Sequence, residues 1–511
     1  MLLAGAPARL LAAGSAPSFP VTVSVHAEQP GAIIERDVYG QFAEHLGRGI
    51  YEGVWVGEDS PIANTRGYRN DVIAALKALH VPVIRWPGGC FADEYHWREG
   101  IGPRANRPVK INTTWGGVEE NNHFGTHEFL DFAELIGAEA YVTGNVGSGS
   151  PQEMAEWIEY ITSPTQSTIA QLRRRNGREQ PWRLPTFGIG NENWGCGGNM
   201  RPEYYADEFR RFTAFIKAPR DNTPRRVAGG PNVDDYNWTE VLMSRAAQSM
   251  DALSLHYYTF PGKWEDKGPA VGFSEAQWAA TLKNALRMDE LVTRHSAIMD
   301  KYDPAKRIAL FVDEWGTWYD PEPGRNPAFL YQQNTLRDAL VAAVSLNIFH
   351  HHADRVRMTS IAQMVNVLQA MILTDQDKMV LTPTYHVFKM YVPFQGATAV
   401  PVDLDTPDYH NGAIAMPAVS VSAARDASGR ILVACANLDP DRAAAVSVTL
   451  SGAHAGAAQG LVLTAAAMDA HNSFANPATV RPAPIALALK GERLTLQLPA
   501  KSVAVLTLSP Q

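Results

Sequence analysis

Leu184-Pro185-Thr186-Phe187-Gly188-Ile189-Gly190-Asn191-Glu192-Asn193-Trp194-Gly195 is the stretch on which the fold turns. A short apolar strand runs into glycines and ends on a carboxylate flanked by amides and an indole. Lone glutamates are seldom buried without a partner, so such an ending is a poor choice for stability alone. It matches the place where a parallel β/α barrel carries its reactive groups, in the loops at the strand C-termini. Ile308-Ala309-Leu310-Phe311-Val312-Asp313-Glu314-Trp315-Gly316 has the same form. Two strand-end glutamates, Glu192 and Glu314, would then face one another across a barrel mouth.

Similar runs lie on either side. Val38–Phe42, Val81–Ile84, Ala140–Val142, Arg226–Ala228, Ala252–Leu255 and Ile361–Asn366 each lead into Gly, Asn or charged residues. With the two glutamate strands they make eight candidates. Helical stripes separate them: Val72, Leu76 and Leu79; Phe129, Phe132, Leu135 and Ile136 before Gly137; Tyr205, Phe209, Phe212 and Ile216; Trp278, Leu282 and Leu286; Leu336, Leu340 and Val344. Ser150-Pro151-Gln152-Glu153 has the hydroxyl, proline and glutamate of a helix start. Strands alternating with helices predict an α/β chain built on a (β/α)8 TIM barrel over residues 31–391. An open doubly wound sheet is the rival, but no G-x-G-x-x-G opens a helix. After Tyr391, short alternating runs such as Ala444-Val446-Val448-Leu450 and Val503-Val505-Thr507 predict an all-β sandwich over 392–511. The alternation Val21-Thr22-Val23-Ser24-Val25 predicts that residues 20–30 add a strand to it. Residues 1–19, rich in Ala and Leu but interrupted by Arg9, read as a tail or the remnant of an export signal.

The chain has 511 residues, 45% hydrophobic and 19% charged, with net charge −8. Those values are those of a soluble globular protein and disfavour nucleic-acid binding. No apolar run is long enough to cross a membrane. Cys90, Cys196 and Cys435 are few, odd in number and far apart, so no disulfide framework is expected. Few cysteines and no convincing leader favour the cytoplasm, with a periplasmic or secreted location if the first residues are an export signal.

Paired carboxyl groups flanking a glycosidic bond are what its hydrolysis needs. One protonates the leaving oxygen. In a retaining enzyme the other attacks the anomeric carbon, with the pair about 5–5.5 Å apart. Trp86, Trp97, Trp115, Trp194, Trp315 and Trp318 fall at or near strand ends, where indoles suit the C–H faces of a sugar; about half should instead cap the core. Arg85 follows a buried strand directly and should be paired with a carboxylate. Cys90 reads as a small buried residue rather than a nucleophile. Asp93 and Glu94 are rival acids, placed after a Pro-Gly-Gly turn. His350-His351-His352 with Asp354 invites a metal reading, but consecutive residues do not point at one centre.

Several blocks together resemble glycoside hydrolase family 51: Tyr39–Arg48, Arg85–Phe91, Gly190–Gly195, Val312–Trp315, Gln363–Asn366 and Thr382–Phe388. They occur in family order. The resemblance implies a retaining α-L-arabinofuranosidase with Glu192 as general acid/base and Glu314 as nucleophile. It implies that Asn191 bonds the 2-hydroxyl and that Glu44 grips the distal hydroxyls, with Arg85 and Cys90 close by. Tyr258 would touch the nucleophile, His256 would support the same wall, and Gln363 would reach in from the last strand. It further implies an arabinose-containing oligosaccharide or polysaccharide as substrate, no metal or organic cofactor, and a homo-oligomer, often a hexamer. The alternatives are another retaining glycosidase on this scaffold, such as an endo-glucanase or xylosidase, and a non-catalytic sugar-binding protein.

Overall fold

The computed structural model describes residues 18–510; most of the stretch read as a tail, residues 1–17, lies outside them. Ser18 and Phe19 already belong to a strand, β1 (Ser18–His26). Its alternating burial follows from Phe19, Val21, Val23 and Val25 facing the core while the residues between them face outward.

Eight parallel strands then close a barrel in sequential order: β2 (Gly40–Phe42), β3 (Val83–Trp86), β4 (Glu139–Gly144), β5 (Thr186–Ile189), β6 (Arg225–Ala228), β7 (Ala252–Thr259), β8 (Ala309–Thr317) and β9 (Val356–Ile361). Every residue of β8 is buried, as expected of a strand covered on both faces. The floor of the barrel is packed by Val83, Tyr141, Val227, Ala252, Ala309, Phe311 and Met358, side chains from six strands. This apolar plug supports whatever sits at the mouth above it.

Local signals account for the helices between. Ser150 accepts the Glu153 N–H and opens Pro151–Thr162. Gly137 closes Thr126–Ile136 in the left-handed conformation at φ 81°. Ser274 and Gln277 form a capping box before the long helix Glu275–Tyr302.

The last barrel strand differs from the reading of the sequence. It is Val356–Ile361, and the segment Ile361–Asn366 begins at its end and forms the loop after it. The polar Arg357, Thr359 and Ser360 hid the strand, although Thr359 and Ser360 are fully buried. Gln363 therefore sits in a mouth loop, two residues beyond β9.

Among the described residues the remaining strands form four two-stranded ribbons and two larger sheets packed against the barrel. One has five strands, with β1 between Val402–Asp405 and Ala443–Ser451; the other has six. One apolar core runs without a break from the barrel helices into both sheets. Trp278 Nε1 donates to Leu438 O at 2.9 Å, and the helix Leu336–His351 lies on the six-stranded sheet.

Candidate active site

The mouth gathers groups from almost every strand. Glu44 follows β2, Arg85 lies in β3 and Cys90 beyond it, and Asn191 and Glu192 follow β5. His256 and Tyr258 lie in β7, Asp313 and Glu314 in β8, and Gln363 follows β9. The turn that carries Glu192 is tight. Gly190 has φ 82°, and a Cβ there would meet Asn193 Oδ1 at 2.3 Å. Glu192 itself has φ 42°, a left-handed backbone that a glutamate rarely adopts and that marks functional sites.

Atoms of Glu192, His256 and Glu314 lie within 4.8 Å of one another. Glu314 Oε1 accepts from Arg85 Nη1 at 2.8 Å, and Oε2 from the Tyr258 hydroxyl at 2.9 Å. Both oxygens are thus held, which fixes the carboxylate in place. Arg85 Nη2 donates to Asn191 Oδ1 at 2.5 Å. His256 Nδ1 lies 2.8 Å from Glu192 Oε1. Burial, then the Glu314 charge, holds the Glu192 carboxyl above the ordinary glutamate range, against the pull of His256 and Arg85. A carboxyl biased toward its protonated form beside one that is ion-paired is the asymmetry an acid and a nucleophile need.

Glu44 closes the inner end. It is 2% exposed and accepts from Phe91 N–H at 3.1 Å, Trp115 Nε1 at 2.9 Å and Gln363 Nε2 at 3.0 Å. Burial and the Glu314 charge push it up to about 7. Asn191 Nδ2 and Gln363 Oε1 are buried with no protein partner. Unpaired buried polar atoms are costly, and a polyhydroxylated ligand would satisfy both. A Cβ on Gly89 would come within 3.0 Å of Glu44 Oε1 and 3.2 Å of Glu314 Oε1, so only glycine leaves this space open.

Cys90 is not a free buried thiol. It is disulfide-bonded to Cys196, across 106 residues, and their Sγ atoms lie 3.9 and 3.6 Å from Glu192 Oε2. The loops after β3 and β5 arch over the intervening β4, so residues remote in sequence meet above the mouth. Asp93 is no rival acid. It is buried and spends its oxygens on the N–H groups of Val146, Gly147 and Asn191, each within 2.8 Å. The histidine run disperses. His350 is buried between Tyr39 and Ser422, while His352 bonds Asp289.

The cleft is a cavity of about 630 Å³. Trp115, Trp194, Trp318 and Trp264 line it with Leu330, Leu368 and Asn232, whereas Trp86, Trp97 and Trp315 are core. Sequence reasoning overlooked Trp264, Asn232 and Asp313. Asn232, after β6, carried a signal, since its Gly229-Gly230-Pro231 approach matches the other strand ends. Asp313 is buried beside Glu314 and accepts from the Tyr141 hydroxyl at 2.8 Å and from Ser254 Oγ.

Comparisons with known proteins bear on the family and the fold. Residues 75–268 match the family model for the alpha-L-arabinofuranosidase 1 domain, and residues 313–502 that for the alpha-L-arabinofuranosidase C-terminal domain. An intracellular exo-alpha-L-arabinofuranosidase of Bacteroides ovatus is 50% identical over 489 residues, which cover 95% of each chain. The crystal structure of the GH51 arabinofuranosidase from Xanthomonas axonopodis pv. citri superposes with TM-score 0.95 at 57% identity, covering 96% of this chain and 100% of that one. The arabinose complex of the Thermotoga maritima alpha-L-arabinofuranosidase superposes with TM-score 0.84 at 28% identity, covering 95% and 99%. With a closed eight-stranded barrel, a carboxyl pair at its mouth and these matches along nearly the whole chain, the protein is a glycoside hydrolase and belongs to the α-L-arabinofuranosidases of family 51.

Proposed function

We propose that the chain is a retaining, exo-acting α-L-arabinofuranosidase that releases arabinose from oligosaccharides derived from arabinoxylan or arabinan. The observation that carries this is the carboxyl pair. Atoms of Glu192 and Glu314 lie within 4.8 Å, close to the roughly 5–5.5 Å of a direct displacement and too near for the water an inverting enzyme places between them. Glu314 attacks the anomeric carbon, and Arg85 and Tyr258 hold it in line. Glu192 gives its proton to the departing oxygen. Water then attacks the arabinosyl ester, gives its proton to Glu192 and frees Glu314. Asn191 meets the 2-hydroxyl. Glu44 and Gln363 meet the distal hydroxyls, and with Trp115 they close the end of the cleft, which suits a single terminal furanose. The Cys90–Cys196 pair forms the wall beside Glu192.

Incubation with arabino-oligosaccharides of defined linkage, followed by proton NMR, tests the reading. Free arabinose should appear first as the α anomer; the β anomer appearing first would rule out double displacement. We also propose that the chain acts inside the cell, as the name of the intracellular B. ovatus relative suggests. Among the described residues no helix is long and apolar enough to cross a membrane. The chain is proposed to assemble as a homo-oligomer, as the family resemblance implies, and light scattering gives its mass.

A further inference from the structure

Asp313 touches neither the cavity nor solvent; it is 1% exposed. A buried carboxylate is expensive unless it is well paired. This one accepts from Tyr141 and Ser254, and its oxygens lie 3.6 Å from Arg85 Nε and 3.3 Å from His256 Nε2. His256 in turn is 4% exposed, and its other ring nitrogen, Nδ1, lies 2.8 Å from Glu192 Oε1 and 3.5 Å from Glu314 Oε2. Asp313 faces Nε2 and Glu314 faces Nδ1, both as carboxylates ion-paired with Arg85, so acceptors on the two sides of the ring favour the imidazolium.

The charges facing this ring come from each neighbouring element. The loop after β5 brings Glu192, and β8 brings Asp313 and Glu314. β3 brings Arg85, which pairs with both Glu314 and Asp313. Tyr258 of β7 donates to Glu314, and Glu44 after β2 lies beyond Glu314. The loop after β6 meets the His256 backbone, where the Pro231 carbonyl accepts its N–H and the Val233 N–H donates to its carbonyl. In the resting enzyme Asp313 and Glu314 face Arg85 and His256, while burial and the Glu314 charge bias Glu192 toward its neutral form. In the arabinosyl-enzyme Glu314 is an uncharged ester and Glu192 has lost its proton to the leaving group. Asp313 and Glu192 then balance the same two cations.

We propose that His256, kept charged by Asp313, is a single counter-ion shared by the two glutamates. It pairs with Glu314 before the first displacement and with Glu192 after it. The geometry suits this, because one N–H lies within reach of both carboxyls. Its effect is to keep Glu192 ionised, and so ready to take the proton of water, once the ester has formed. Asp313 is a positioning residue that acts through His256. Burial alone would lower the His256 pKa, but Glu314, Asp313 and Glu192 push it up to about 10, so the cation persists at neutral pH. This inference rests on the double displacement proposed above.

The test uses His256→Gln, which keeps an amide donor without the charge, and Asp313→Asn. Without the cation the ionised Glu192 is less stable in both states, so its pKa rises. On an arabino-oligosaccharide the alkaline limb of kcat/KM should move up by about one unit. On 4-nitrophenyl α-L-arabinofuranoside at neutral pH the second step should slow by up to about tenfold. Rapid mixing should then show a nitrophenolate burst approaching one equivalent per site. If His256→Gln keeps the wild-type limb, or slows both steps alike with no burst, the shared counter-ion is excluded. If Asp313→Asn fails to fold, His256→Gln decides alone. The anomer released by the wild type tests the double displacement separately.

Discussion

At the scale of single residues, the chemistry depends on which carboxyl carries the proton. Glu192 is raised by burial and by Glu314, while Glu314 is ion-paired to Arg85. Glu192→Ala should therefore lose about 10³-fold in kcat/KM on arabino-oligosaccharides, the usual worth of a general acid. Formation of the ester from a nitrophenyl arabinoside, whose leaving group needs little help, should slow far less. Added azide should restore turnover and give an arabinosyl azide with the substrate's anomeric configuration. Equal losses on both substrates, with no azide product, would reverse the assignment. Glu192 and Glu314 were legible in the sequence because each ends an apolar run. The role of Asp313 was not. Side chains alternate along a strand, so of two neighbours only one should face the barrel interior. Phe311 and Asp313 keep that phase. The register against β9 shifts between Val312 and Trp315, and this irregularity lets Glu314 face the mouth as well. No residue pattern announces such a shift.

At the scale of elements, the loop that carries the acid is fastened twice to the turn after β3. Cys90 bonds Cys196 near its far end, and Asp93 takes the N–H of Asn191 at its start. The same Asp93 carboxylate takes two N–H groups from the loop after β4, so three mouth loops share one anchor. Asp93→Ala leaves three buried donors without an acceptor and should cost about 3 kcal/mol or more, seen as a lower urea midpoint. Because Asn191 and Glu192 lose their tie, kcat should fall roughly tenfold even where the variant is fully folded, since small misplacements cost catalysis heavily. A folded variant with wild-type kcat would show that the loop holds its shape without Asp93. The barrel itself was readable from strand rhythm and from caps such as Ser150 and Gly137. The fastenings were not, because they join loops separated by β4. Helix Tyr236–Ala246 was also missed; its buried Trp238, Leu242 and Met243 sit among polar residues.

At the scale of the whole molecule, barrel and sandwich share one core, and their polar seam is pH-sensitive in a definite direction. On helix Leu336–His351, His350 is fully buried, with Nε2 2.7 Å from the Tyr39 hydroxyl and Nδ1 2.8 Å from Ser422 Oγ of the sandwich. Its ring stacks on Phe394 at 4.8 Å. Burial, with His351 beside it, pushes its pKa down to about 3, so the folded protein holds it neutral. An unfolded chain would protonate it near 6.5. Between those values the unfolded state binds the extra proton, so stability rises with pH; it is complete above about 6.5 and declines as pH falls toward 3. At pH 5 the loss from this one group is about 2 kcal/mol. His386 and His127, both half-buried and lowered to about 4, act in the same sense. Melting temperature followed from pH 7.5 to 4.5 should fall steadily below pH 6.5. His350→Gln keeps a polar group between Tyr39 and Ser422 but cannot titrate. Its melting curve should start lower at pH 7.5 and lose less on acidification, so that the gap to wild type narrows by pH 5. A constant gap across that range would mean that His350 is not the group through which acid loosens the seam.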